Sequence, residues 1–548
     1  MKNFKNIVLI ALSFAAVGCS KDLDINTDPN NPTAIESKVL LPRIEKYLGE
    51  SLAMGTGFGN NLSAYTHQMV MYGNADQYGA GGNDFYWGQG WDYAYREVLT
   101  NTDIIIKQST ASGDLHYVGI AKIIKAYTFS VLVDLFGSVP FSEANQLVEG
   151  IKYPKYDEGK DIYPQLVALI DEGISNLGAN SGVSPGADDV IYGGKIDSWV
   201  KAANSIKFKL LLQQRKVKDV KAELAALIAS NKLISSTAES FMVPFGPNGA
   251  TDDRNPGFGE YYASQRTLYV SPWLYEIMKG YNSEIMTSNS DPRIPYYFFN
   301  QIKATAGPLS DIEYRDGGFV SMYFGTQGPN KGKNNQNTIT VFGVYPVGGR
   351  YDDGQGGTAS ASSGTGAAPY RLITYSDMLF WKAELIQAGV ISGDASATFQ
   401  SALNESMKMV DYVVSKNGSA QNIPVLATST ATTNFVNKAV TAFNAANDEK
   451  KMELIMTQKW VSNVGAWVEP YNDYRRTGYP ILFDPNKFGG KMTPPSGGNG
   501  GDDMPTVPVV SIRKFPNSLP YILDEISKNL NAPAQKTDLS TAKVFWMP

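Results

Sequence analysis

One cysteine, Cys19, and two histidines, His67 and His116, are all that 548 residues offer for thiol or imidazole chemistry. A single thiol closes no intramolecular disulfide, so the fold must rely on packing. Two histidines and one cysteine assemble no Cys/His zinc set, and neither HExxH nor a GK[ST] phosphate loop occurs. No metal and no cofactor is called for. Only 18% of residues are charged and the net charge is −5, which leaves no basic footprint for nucleic acid. Beyond the amino terminus no stretch approaches the ~18 uninterrupted apolar residues of a membrane-spanning helix. Aromatic rings, in contrast, are plentiful: 31 Tyr, 24 Phe and 8 Trp. Tyrosine in excess of phenylalanine implies many rings with one wet edge, the chemistry of a binding surface as well as of a core. A large core with ordinary rim tyrosines accounts for most of them.

The lone thiol has a telling position. Lys2 and Lys5 precede an apolar run from Ile7 to Val17, followed by Gly18 and Cys19. The run is too short to span a bilayer, and the small residues Ala15, Ala16 and Gly18 suit a signal peptidase. Ala16-Val17-Gly18-Cys19 resembles the lipobox of bacterial lipoproteins, although that family usually has leucine where Ala16 stands. The resemblance implies a signal peptide over 1–18 and acylation of Cys19. Two or more acyl chains give lasting anchorage, at ~0.8 kcal/mol per buried methylene. Residues 19–34, acidic, polar and punctuated by Pro29 and Pro32, read as an extended tether. Its early acidic residues also resemble the export signal of lipoproteins displayed on the outside of some Gram-negative outer membranes.

Two blocks read as helical, giving a mainly α fold. In the first, Trp199, Ala203, Ile206 and Leu210 step along one helix face. Residues 112–136 are apolar on most faces, as in a helix packed on both sides, with Gly137 as a left-handed exit. Further helices are expected over 35–53, 61–72, 91–108, 160–177 and 219–230. The second block opens at Thr374 with Asp377 three residues on, a capping box, and stops at Gly389. Helices over 397–415 and 448–463 follow, the latter with Met452, Ile455, Met456, Trp460 and Val464 on one stripe. Antiparallel helix pairs of tetratricopeptide type are the expected unit, although no clean repeat is visible. Between the blocks, residues 236–371 are dense in Gly, Asn, Asp, Pro and Tyr, and Pro494 to Pro505 is a second polar stretch. A helical scaffold carrying large ring-bearing loops is a binding architecture.

Several segments together resemble the SusD/RagB lipoproteins. Asp134-Leu135-Phe136-Gly137-Ser138-Val139-Pro140 closes a helix in that family's manner, and Ile191-Tyr192-Gly193-Gly194-Lys195 precedes Trp199 and Ala203-Asn204-Ser205-Ile206-Lys207. Asp291-Pro292-Arg293-Ile294, Ile373-Thr374-Tyr375 with Ala383-Glu384, Gln458-Lys459-Trp460 and Arg475-Arg476-Thr477-Gly478-Tyr479-Pro480 follow in the family's order. Asn463-Val464-Gly465 stands where the family is usually more aromatic. With Cys19, the set covers nearly the whole chain. The resemblance implies one SusD-like unit over 35–548: a helical scaffold (35–235), a loop-rich insert (236–371) and C-terminal helices and loops (372–548). Four tetratricopeptide-like helix pairs would lie opposite an irregular ligand-binding side with a few short strands. It further implies a lipid-anchored receptor facing the cell exterior. Such a receptor captures an oligosaccharide, or secondarily a peptide, and acts as a lid that passes it to a TonB-dependent outer-membrane transporter.

Sugars present apolar C–H faces ringed by hydroxyls, so their sites need flat rings beside amides and carboxylates. Tyr78, Asn83, Asp84, Tyr86 and Trp87 supply both on a Gly-rich segment, whose place along the chain matches a ligand-contacting region of glycan-binding relatives. Rings ordered from a loop lose only two side-chain torsions. The competing reading makes Trp87 and Trp91 packing anchors at a helix entry. A second ring cluster lies in the insert (Tyr261, Tyr262, Arg266, Tyr269, Trp273, Tyr314, Arg315, Phe319, Tyr323); from it Tyr314 and Tyr323 are expected to face a ligand, and Trp273 the core. Alanine at Tyr86, Trp87 and Tyr323 should then weaken retention and leave the melting temperature nearly unchanged. Arg475-Arg476 read as a structural ion-pair network rather than a carboxylate clamp, and Asp352-Asp353 and Asp502-Asp503 as solvated turns rather than calcium ligands.

No catalytic residue is assigned. Gly182-Val183-Ser184-Pro185-Gly186 matches the nucleophile-elbow pattern in letters, yet the residue after the serine must donate a backbone N–H and proline has none. The absences above do not exclude a glycosidase, which needs only two carboxylates. The alternatives to capture are therefore a surface glycoside hydrolase and a non-catalytic scaffold that recruits partner proteins.

Overall fold

The computed structural model describes residues 35–548 except 74–75, 79–84, 265, 283–284, 308, 310–312, 329–331, 333–335, 485–490, 493–506 and 509–512. Its N-terminal block begins with α1 (Ser37–Leu52), which buries Leu40, Leu41, Ile44, Leu48 and Leu52 at helical spacing. Next come α2 (Gly59–Tyr65), β1 (Met69–Met71), α3 (Phe85–Asp92), a π-helical turn over Tyr93–Leu99 and α4 (Thr100–Ser112). The helix expected over 61–72 thus ends early. The chain turns at His67, with φ +58°, and β1 pairs antiparallel with residues 268–270 of the insert. A long-range strand partner has overridden a local helical pattern. The helix expected over 91–108 extends from Phe85 to Ser112, with the π turn inside it.

α5 (Leu115–Phe136) is the spine of this block. From Tyr117 onward only Lys122 and Lys125 reach solvent, as its apolar faces predict. Gly137 leaves the helix at φ +85°, ψ −83°: the positive φ is as expected, but the ψ lies outside the left-handed helical well. β2 (Val139–Pro140) and β3 (Tyr156–Asp157) form a short ladder, followed by α6 (Gly159–Leu177), α7 (Ile196–Gln214) and α8 (Lys221–Ala229). Successive helices α4 to α8 pack pairwise. α5 and α6 approach through two glycines: a Cβ on Gly119 would meet the Gly173 carbonyl at 2.8 Å.

β4 (Phe241–Val243) and, much later, β10 (Tyr370–Ile373) pair antiparallel and staple together the two ends of the loop-rich stretch. Inside it lie β5 (Leu268–Val270), α9 (Pro272–Lys279), the pair β6 (Phe298–Phe299) with β9 (Val341–Phe342), and the hairpin β7 (Tyr314–Asp316) with β8 (Phe319–Ser321). The stretch is irregular but well packed, and most of its rings are buried.

The C-terminal block holds α10 (Tyr375–Gln387), α11 (Ala395–Asn417), α12 (Thr430–Ala445), α13 (Asp448–Ser462) and α14 (Val468–Thr477). The capping box is present: Asp377 N donates to Thr374 Oγ1 over 3.1 Å, and Thr374 N to Asp377 Oδ2 over 2.9 Å. α13 carries its apolar stripe, but Glu453 to Ser462 is buried all round because α10, α11, α12 and α14 all pack on it.

Buried charge joins the two helical blocks. Glu384 on α10 accepts from Arg476 on α14 (2.8 and 2.7 Å) and from Arg215 after α7 (3.0 and 2.7 Å). Arg476 also donates to Asp473 over 2.6 Å and to Gln213. Lys459 reaches Asp473 over 2.5 Å, and Lys209 lies 2.6 Å from Glu469. Asp134 on α5 accepts from Trp546 Nε1 over 2.8 Å, from Asn472 over 3.0 Å and from the Tyr163 hydroxyl. Burial works against the charge on Glu384, but Arg476 and Arg215 outweigh it and hold the carboxyl down at about 2. The Arg475-Arg476 pair is structural, as expected: both are buried, and the Arg475 guanidinium lies 3.9 Å over the Tyr471 ring.

Among the described residues no helix is long and apolar enough to cross a membrane.

Candidate ligand-binding cleft

The expected ligand rings do not share one fate. Trp87, Tyr314 and Tyr323 are fully buried. Trp87 packs between Phe58 and Tyr65, with ring centroids at 6.5 and 5.9 Å. Tyr314 stands edge-on to Tyr323 at 5.5 Å and to Phe319 at 5.8 Å, docking the β7–β8 hairpin against α9. These three corrections share one cause. A ring next to glycines and amides in sequence is still covered when a distant segment closes over it. Trp91 is buried too, and Trp273 is mostly buried with its Nε1 on the Ile481 carbonyl, both as packing anchors. Trp87→Ala or Tyr323→Ala is therefore expected to cost about 3–5 kcal/mol of stability by leaving a cavity. Urea unfolding checks this, and unchanged midpoints would return both rings to the surface. Cys19, Asn83, Asp84, the side chain of Tyr86, Asp502-Asp503 and most of Pro494 to Pro505 lie outside the described residues.

Tyr78 is also mostly buried, at 8% exposure, but its remaining edge lines an open cleft of about 520 Å³. His67 Nε2 is 2.7 Å from its hydroxyl, and Phe324 and Phe515 flank its ring at 5.2 and 5.7 Å. The strained φ of His67 holds its imidazole here, stacked 4.0 Å from Phe324. Burial lowers the His67 pKa to about 3, so the ring is neutral at physiological pH.

The other walls come from the tail, which the sequence reading passed over: Arg513, Lys514, Pro516, Pro520, Lys536 and Asp538 to Ser540. Two tail segments are tied to each other by Asn517 N to Leu539 O at 2.8 Å and by Gln535, which accepts from Tyr521 N at 2.9 Å and donates to Tyr521 O at 2.7 Å. They are fixed to the scaffold through Leu519 N to Leu135 O at 2.7 Å, the Tyr471 hydroxyl to Pro516 O at 2.8 Å and Arg475 Nη1 to Asn517 O at 2.8 Å. The cleft walls are thus tied to the scaffold, and an open depression lined by polar groups, prolines and the edge of one ring, Tyr78, suits reversible binding of a polar ligand. A signal was present in the basic pair Arg513-Lys514 before Phe515-Pro516, but neither helical nor strand periodicity draws attention to it.

The remaining insert residues are structural. Arg266 donates to the Tyr261, Gln336 and Ala359 carbonyls, and Arg315 to those of Gly317, Gly307 and Ala306. Asp352 accepts from Gly354 N at 3.0 Å, the expected turn role, but it is half-buried and also accepts from Asn300 Nδ2 at 2.6 Å, so it is not a fully solvated residue. At the rejected nucleophile elbow, exposed Ser184 does lie 2.8 Å from His116 Nδ1, while His116 Nε2 faces the Ala179 carbonyl at 3.1 Å. Among the described residues no carboxylate orients this imidazole, and Pro185 still supplies no oxyanion N–H. Among the described residues no group of three or more His, Cys, Asp or Glu side chains is placed to hold a metal ion.

No curated protein sequence matches the chain. Solved structures of similar fold include a SusD/RagB family protein from Bacteroides thetaiotaomicron (TM-score 0.64, 20% identity, 91% of this chain and 95% of that one). A SusD homolog from Bacteroides fragilis matches with TM-score 0.63 and 20% identity over 90% of this chain and 95% of that one. A chitin-binding SusD homolog from Flavobacterium johnsoniae matches with TM-score 0.61 and 20% identity over 93% and 98%. At such identities the likeness speaks for the fold. The family signature described as "Starch-binding associating with outer membrane" matches residues 29–495, nearly the whole helical scaffold, insert and C-terminal helices. The chain belongs to the SusD-like family of outer-membrane-associated proteins.

Proposed function

We propose that this chain is a surface receptor that captures an oligosaccharide and hands it to a TonB-dependent outer-membrane transporter, moving as a lid and doing no chemistry itself. Residues 1–18 are its signal peptide, Cys19 carries the lipid that holds it on the exterior face of the outer membrane, and 19–34 are the tether. The captured ligand sits against residues 35–548, in the cleft beside Tyr78. Asn83, Asp84 and Tyr86 follow Tyr78 closely in the chain and complete the proposed contacts, while the buried Trp87, Tyr314 and Tyr323 are left to the packed interior.

The observation that carries this reading is an open, polar cleft of about 520 Å³ beside Tyr78 in a chain of the SusD-like family. The chitin-binding relative supports a saccharide rather than a peptide as cargo. The test incubates the purified protein with mixed oligosaccharides and peptides and follows both retention and products. Saturable retention of an oligosaccharide without cleavage is the expected result. New reducing ends would make the chain a hydrolase, retained peptide alone would change the cargo, and no retention of either would leave a scaffold. Radiolabelled palmitate should enter the wild-type chain in intact bacteria and fail to enter Cys19→Ser.

A further inference from the structure

Three asparagines in the chain stand directly before glycine: Asn248, Asn417 and Asn499. Asn499 lies outside the described residues, and the structure treats the other two in opposite ways. The pair matters chemically because the peptide nitrogen after an asparagine can attack the side-chain amide and close a five-membered ring. Glycine leaves that nitrogen unshielded, and its backbone freedom lets the ring form.

Asn248, Gly249 and Ala250 are exposed in a turn that follows β4. Ala250 N donates to Asn248 Oδ1 over 3.0 Å, an Asx turn that draws electron density away from the amide carbon. The Gly249 N–H donates to no acceptor among the described residues, so the attacking nitrogen is not held elsewhere. The Arg254 guanidinium lies alongside: a Cβ on Gly249 would meet its Cζ and Nη1 at 3.3 Å each. A cation there favours the negative charge that develops during ring closure and remains on the product. Asn417 is the reverse case. It ends α11, is 1% exposed, and its Oδ1 accepts from the Thr365 hydroxyl. Its amide has to leave this packing by local opening before a ring can close.

We propose that Asn248 is a site of spontaneous deamidation, a slow covalent change that the exposed turn permits and the buried Asn417 escapes. The Gly249 nitrogen gives its proton to water and bonds to Asn248 Cγ, and the Cγ–Nδ2 bond breaks with loss of ammonia. Water then opens the succinimide at either carbonyl, giving aspartate or isoaspartate. Net, one water is consumed and one ammonia released, with no oxidation or reduction. Both products add a negative charge beside Arg254. Isoaspartate also lengthens the main chain by one carbon inside a closed turn. There Asn248 N donates to Asp253 Oδ1 over 2.7 Å, Asp253 N to Asn248 O over 3.3 Å and Gly246 N to Asp253 O over 2.9 Å. The site is independent of which cargo the receptor takes.

The experiment ages the purified full-length protein in warm neutral buffer and follows its tryptic peptides by mass spectrometry against an unaged sample. Residues 233–254 and 417–438 fall in separate peptides, and Asn248 is the only amide side chain in the first. In the folded chain Asn248 is expected to convert about tenfold or more faster than Asn417, and at a similar rate once urea has unfolded the protein. Equal rates in the folded chain, or a faster Asn417, overturn the proposal. The same large ratio in urea overturns it too, because the difference would then come from neighbouring sequence and not from the turn. Asn248→Gln, which would need a six-membered ring, should stop the conversion, with an unchanged urea midpoint verifying its fold. Conversion of that variant at the wild-type rate would exclude the ring route.

Discussion

Glu384→Gln is expected to destabilise the protein by about 3–5 kcal/mol at neutral pH, the scale seen when one member of a buried ion network is removed. The glutamine is isosteric, so no cavity accounts for the loss. Arg476 and Arg215 would keep their charges inside the protein while losing the carboxylate both of them hold. The effect has a pH signature. Glu384 titrates at about 2 in the folded chain against an ordinary 4.5 when unfolded. Above 4.5 the stabilisation is fully present, and it is lost as pH falls toward about 2. The gap between wild type and Glu384→Gln should therefore close between pH 5 and pH 2 in urea titrations followed by tryptophan fluorescence. A gap that stays constant over that range would mean that the loss comes from shape and not from charge.

Glu276→Gln should act in the opposite sense and stabilise the protein in mild alkali. Glu276 on α9 is completely buried, and its oxygens face the Tyr314 hydroxyl without closing a well-formed hydrogen bond. Burial raises its pKa to about 8, the nearby Tyr314 hydroxyl only partly opposing this. The folded chain thus keeps this proton up to about pH 8, whereas the unfolded chain releases it near 4.5. Stability contributed here is intact below 4.5 and falls as pH rises to about 8, by about 3–5 kcal/mol. The amide cannot ionise, so the variant should match wild type near pH 4 and exceed it near pH 8.5. An alkaline midpoint no higher than that of wild type would show that Glu276 is already charged and paired. The site matters for binding because Tyr323, beside Glu276, is followed directly by Phe324, which packs on both His67 and Tyr78.

The two helical blocks were legible in the residues because a helix writes its period locally. The Trp199 to Leu210 face, the Thr374 capping box and the doubly packed 115–136 helix depend on neighbours within a turn or two. SusD-like membership was legible for a related reason: its segments keep their order along the chain. Exceptions mark the limit of local reasoning. The 61–72 pattern yielded to β1 because its partner strand comes about 200 residues later, at 268–270.

Which rings face outward had no local signature. Tyr78 and Tyr314 both sit among glycines and polar residues, yet one edges a cleft and the other is enclosed with Tyr323 and Phe319. Exposure depends on whichever segment closes over a ring, and for Tyr78 that segment is a tail more than 430 residues downstream. From the sequence alone came the helical framework, the family and the lipobox-like start. Only the tertiary structure brought the tail beside Tyr78, because which residues share a surface depends on how distant segments pack.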